Sequence, residues 1–149
     1  MKLTLSKLLL ISAISGVSMA SQGQTPSPGP EMILIKTTQK SPDQVVDAIK
    51  SYAKAKKWIY MGANKVKKGQ VIMVKVCVPQ VGKLLWPIGL HVSAMLPCGN
   101  LGVYKVKGKT EVSMLHPQYM QVLYPHAEVE KAVGVATPLL TEMLAAVSQ

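Results

Sequence analysis

The chain has 149 residues, 48% of them hydrophobic, with a formal charge of +10 and two cysteines. That length makes one domain able to bury a core without covalent staples. All seventeen basic residues are lysine and phenylalanine is absent, which argues against sequence-specific nucleic-acid recognition. Bidentate base readout is arginine's work, and base stacking needs more aromatic rings than two tryptophans and five tyrosines supply.

Residues 1–20 read as a signal peptide. Lys2 and Lys7 form a positive start, residues 8–14 an apolar run, and Ser18-Met19-Ala20 a small-residue cleavage site. The run is interrupted by Ser12, Ser15 and Gly16 and is short for a bilayer about 30 Å thick. The expected location is therefore periplasmic or secreted. There a lysine-rich surface suits an acidic protein or an anionic membrane surface, and a purely solubilising role accounts for it equally well. Residues 21–30, SQGQTPSPGP, form a flexible linker. A single domain then occupies residues 31–149.

Met32 to Thr38 reads as a first strand. Ser41-Pro42-Asp43-Gln44 opens a helix with a capping box and a proline at the first helical position. Val45, Ile49, Tyr52 and Ala53 carry its apolar face to about Lys57. Trp58 to Met61 is expected to form a second strand, and residues 62–69 a basic loop whose Lys65, Lys67 and Lys68 are candidates for surface docking. Val71 to Cys77 makes a third strand, too apolar on both faces for an edge. A short helical turn follows over Val81 to Leu85. Leu101 to Val106 and Thr110 to Leu115 alternate about a Lys107-Gly108 turn as strands four and five. A last helix opens at Glu128 and Glu130, with a core stripe of Val129, Val133, Ala136, Leu140, Met143 and Val147. Pro138 is expected to kink or split it near Thr137. The order β-α-β(4)-α predicts an α+β domain, an antiparallel sheet with both helices packed on one face.

Cys77 ends strand three and Cys98 precedes strand four, so a hairpin-like return brings the two sulfurs to one end of the sheet. Three readings stay open: a structural disulfide, a metal- or sulfur-handling thiol pair, and two inert buried thiols. His91 and Met95 lie between the cysteines, and a Cys/His/Met set suits copper(I). Cys77, Cys98 and His91 are the candidate metal ligands, with copper or zinc the candidate ions. Seven carboxylates, four of them (Asp43, Asp47, Glu128 and Glu130) explained by helix first turns and faces, and the lack of a nucleophile elbow or phosphate loop argue against an ordinary hydrolase.

Cys77-x-Pro79, Leu96-Pro97-Cys98 and the Val103-Tyr104 hairpin resemble the bacterial and archaeal family called domain of unknown function 302. The resemblance covers Met32 to Ser148 and implies a β-α-β(4)-α fold of the TATA-binding-protein type. Many family members carry arginine and an acidic residue where this chain has Gly99 and Lys105. The leading expectation is a periplasmic binding or redox and sulfur-accessory module centred on Cys77 and Cys98. The alternative is an interaction domain with a structural disulfide that docks through its lysine face. A homodimer is compatible with either.

Overall fold

A computed structural model describes residues 32–96 and 100–149. The expected signal peptide (residues 1–20), the expected linker (residues 21–30) and Cys98 lie outside the described residues. Five strands form one antiparallel sheet: β1 (Ile33–Thr38), β2 (Ile59–Val66), β3 (Val71–Cys77), β4 (Asn100–Val106) and β5 (Lys109–Leu115), in the order β1-β5-β4-β3-β2. The helices are α1 (Pro42–Ala55), α2 (Pro79–Leu85), α3 (Tyr119–Leu123) and α4 (Ala127–Ser148). The architecture is the expected α+β arrangement, with the helical turn after β3 present as α2 and one short helix, α3, added. No helix among the described residues is long and apolar enough to cross a membrane.

Helix α1 starts where its capping box places it. The Ser41 hydroxyl accepts from the Gln44 N–H, and the Gln44 side chain accepts from the Ser41 N–H at 2.7 Å. Its end is equally defined. Lys57 takes a left-handed φ of 56°, the Trp58 N–H donates to the Ala53 carbonyl and the Lys57 N–H to that of Lys54. This is a Schellman closure built on lysine instead of glycine. It turns the chain at once into β2 and buries the Trp58 ring.

Burial alternates with period two along the inner strands β3, β4 and β5. Ile72, Val74 and Val76 of β3, Leu101 and Val103 of β4, and Val112 and Met114 of β5 point into one core. They share it with Val45, Ile49 and Ala53 of α1 and with Val129, Ala136, Leu140, Met143 and Val147 of α4. Both long helices thus cover one face. Lys56, the C-terminal cap of α1, reaches Glu142 of α4 at 2.9 Å across the outer rim.

Four expectations need correction. The basic loop begins later than the lysine run suggests, because β2 continues through Lys65 to Val66 and leaves only Lys67–Gly69 as a tight turn. Pairing with β3 carries the extra residues, since strand partners outweigh the weak β propensity of Ala-Asn-Lys. Residues before α4 form the additional helix α3, which buries Met120. Val133 is only half-buried, while Ala132 and Leu144 are buried, so the stripe on α4 is broader than a strict four-three repeat. Finally, α4 is not split at Pro138 but continues through it as one helix. The carbonyl that proline leaves without a donor belongs to Gly134, on the exposed side where water can take it. The hydroxyls of Thr137 and Thr141 donate to the carbonyls of Val133 and Thr137 in the same stretch.

Candidate functional site

Cys77 is the last residue of β3 and stands on the sheet face opposite the helices, with Ile59 as its cross-strand partner. Val71, Met73 and Lys75 precede it on that face, and Lys75 is exposed. Pro79 then serves as the first residue of α2, where its missing N–H costs nothing. After α2, two short 3₁₀ turns, Trp86–Ile88 and Leu90–Ala94, bring the chain back past the end of β3.

These elements enclose a cleft of about 350 Å³ lined by Met61, Lys75, Cys77, Trp86, Ser93, Ala94 and Leu96. A β-bulge helps shape it. The β2–β3 register shifts between Tyr60 and Gly62, and Gly62 has a φ of 120°, which leaves Met61 as the extra residue. Trp86 keeps 44% of its surface exposed, an unusual state for a large aromatic ring. Its indole lies over α2, where a Cβ on Gly82 would meet Nε1 at 3.0 Å. The cleft thus offers one cation, a cysteine sulfur, a thioether and an aromatic wall. Such a combination can hold a small partly apolar molecule with an anionic group, or a soft ion.

Cys77 is the one sequence-predicted site residue that lines this cleft among those described. Cys98 lies outside the described residues. His91 is exposed and does not line the cleft; its ring lies 5.9 Å from that of Tyr124, which in turn lies 5.9 Å from His126. Met95 is half-buried against the hydrophobic core. His116 and His126 each accept from a backbone N–H two residues on, at 3.1 Å, and His126 thereby caps α4. Among the described residues no group of three or more His, Cys, Asp or Glu side chains is placed to hold a metal ion.

The lysines divide. Lys65 lines a groove of about 260 Å³ beside the start of α1 and lies 4.0 Å from Asp43. Lys67 and Lys68 are exposed at the turn between β2 and β3, both with left-handed φ of 48° and 53°.

Sequence reasoning did not single out Met61, Lys75, Trp86 or Ser93 as site residues. Two signals were present. Lys75 is the only charge inside the apolar run of β3, and Trp86 precedes a proline where a core tryptophan would be out of place.

The fold and cleft define a class: a small α+β domain, one sheet face covered by helices and a cleft at one end of the other. The chain belongs to the family described as domain of unknown function DUF302, whose family model matches residues 34–147. A solved relative, described as the crystal structure of uncharacterized conserved protein DUF302 from Bacillus stearothermophilus, superposes with a TM-score of 0.71 at 15% identity. The match covers 80% of this chain and 100% of that one. No curated protein matches this chain.

Proposed function

We propose that this protein is a periplasmic small-ligand-binding or redox-accessory module whose site is the cleft at the Cys77 end of the sheet. The observation supporting it is that one cleft gathers Cys77, Met61, Trp86 and Lys75. Sulfur donors and an aromatic wall suit a soft ion such as copper(I) or a sulfur-bearing small molecule, and Lys75 suits an anionic group on the ligand. Cys98 is the proposed second sulfur of the site. Export rests on the pattern of residues 1–20.

The test combines thiol counting and metal analysis on protein recovered from the periplasm with titration of copper(I) and zinc against a competing chelator. Trp86 emission reports on the cleft, with a Trp58→Tyr background removing the other indole. Binding of either ion that weakens at least tenfold in Cys77→Ser supports the reading. Protein without metal, unresponsive to both ions and unchanged by Cys77→Ser, defeats it.

A second reading rests on the lysines at the β2–β3 turn: an interaction domain, its cysteines joined as a structural disulfide, that docks on an acidic protein or anionic membrane. Its signature is binding to anionic vesicles or an acidic protein that collapses with added salt and with Lys67→Glu/Lys68→Glu.

A further inference from the structure

The face of the sheet that the helices leave uncovered has an order of its own. Strand pairing lays its residues out in cross-sheet rows. Nearest the β2–β3 turn, Thr37, Glu111, Tyr104, Val71 and Val66 stand side by side. The next row is Ile35, Ser113, Gly102, Met73 and Asn64. Beyond it Ile33 pairs with Leu115, and Lys75 with both Asn100 and Gly62. Much of this surface is apolar yet open: Ile33, Ile35 and Val66 are 46%, 50% and 42% exposed. At its middle, Gly102 leaves a hollow of about 320 Å³ with Met73, Tyr104 and Ser113 among its walls.

Charge on this face is sparse and placed in a particular way. The chain carries seventeen lysines, yet only Lys75, Lys109 and Glu111 fall on this face among the described strand residues. Lys109 sits at the corner beyond the first row. Lys75 lies one strand from Gly102 on one side and one row toward the cleft. Glu111 lies one strand from Gly102 on the other side and one row the opposite way. The two are therefore related by inversion through Gly102 in the plane of the sheet, roughly 16 Å apart by standard strand spacings.

We propose that this face is the interface between two copies of the chain, docked about a two-fold axis that passes over Gly102. An axis lying in the interface perpendicular to the Lys75–Glu111 line carries each of these residues onto the position facing the other in the second copy. Lys75 of one copy then meets Glu111 of the other, twice, as an isologous contact requires. The same axis crosses the two sets of strands at roughly 70°, within reach of the near-orthogonal class of sheet packing. Sheets stack about 10 Å apart, a gap that a lysine and a glutamate side chain together span. Gly102 falls at the centre, where the Ser113 hydroxyl and the edge of the Tyr104 ring fill the space a side chain would take. Five strands and three rows offer about 500 Å² per copy, or about 1,000 Å² in all, the size at which a specific interface begins. A second copy also brings an apolar face low in charge to meet one like itself, which avoids the repulsion between the remaining lysine-rich surfaces.

Lys75 also lines the cleft, so the pair stands at the cleft's edge; the test reads mass alone and needs no ligand. Sedimentation of the purified protein over a concentration series is expected to show doubling of mass. Glu111→Lys should weaken the dimer about tenfold or more, and the exchange Lys75→Glu/Glu111→Lys should restore it to within about threefold. Ile35→Lys, at an exposed position in the central row, should weaken it as well; circular dichroism confirms that each variant is folded. A monomer at every concentration overturns the proposal, as does a dimer indifferent to Glu111→Lys and Ile35→Lys. A dimer lost in Glu111→Lys and not restored by the exchange overturns the pairing and with it the axis. Monomeric protein that cosediments with anionic vesicles through Ile35 gives the face to a membrane and overturns the second copy.

Discussion

Gly82→Ala separates what stabilises the domain from what shapes its cleft. Gly82 lies inside α2, where glycine costs the backbone about 0.5–1 kcal/mol relative to alanine. It is buried, and the added methyl would meet the Trp86 indole at 3.0 Å from Nε1, with the next atoms at 3.6 and 3.9 Å. A comfortable contact needs roughly half an ångström more. The atom in the way is the edge of a ring that is 44% exposed, so the indole can swing outward at little cost in packing. The helix gain then outweighs the contact, and the variant is expected to be about 0–1 kcal/mol more stable in urea unfolding. The displaced indole is part of the cleft wall. Its emission should shift in the Trp58→Tyr background, and ligand affinity should fall although stability does not. A loss above about 1 kcal/mol together with unchanged Trp86 emission would refute the reasoning, because it would place the strain in the backbone of α2 and not on a movable ring.

Two further outcomes follow from the packing of α1 against α4. Leu140→Ala empties a site that is 1% exposed in the shared core and should cost about 2–5 kcal/mol in chemical denaturation; a loss under half a kcal/mol would contradict that core. The Lys56–Glu142 pair predicts a pH dependence. The hydrogen bond from Lys56, aided by the nearby Tyr52 hydroxyl, lowers the Glu142 carboxyl below its ordinary 4.5, and the bond to Glu142 raises Lys56 above its ordinary 10.5. A lowered carboxyl stabilises the fold above the unfolded value and loses that contribution as pH falls through the folded one. A raised ammonium does so below the unfolded value and loses it as pH rises through the folded one. The Tm difference between the wild type and Glu142→Gln should therefore be small, flat around neutrality and vanishing in acid; a difference that grows on acidification would contradict the assignment. Both side chains are half open to solvent, which keeps the effect small.

The elements that the amino acids specify locally are legible in the sequence itself. Ser41-Pro42-Asp43-Gln44 caps its helix as read, because a capping box is closed by residues three apart. The limits of β3 match the apolar run Val71 to Cys77, and the Lys107-Gly108 turn joins β4 to β5. The family is legible too, in the motifs around Cys77 and Tyr104. What tertiary structure decided is everything that depends on a partner far along the chain. Pairing with β3 extends β2 through Gly62-Ala63-Asn64-Lys65-Val66, a stretch that has no strand signal of its own, and the bulge at Met61 exists only relative to that register. His91 lies in sequence between the cysteines but in space beside Tyr124, since the 3₁₀ turns after α2 carry its ring away from the cleft that Cys77 lines. Lys75 faces that cleft because period-two alternation on a central strand leaves every second residue on the uncovered face. Which face is uncovered follows only from where α1 and α4 pack. Capping and turn signals act over a few residues. Register, layer order and the meeting of Met61, Cys77 and Trp86 come from burying apolar surface across the whole domain, a quantity shared among all the strands and helices that no short stretch carries.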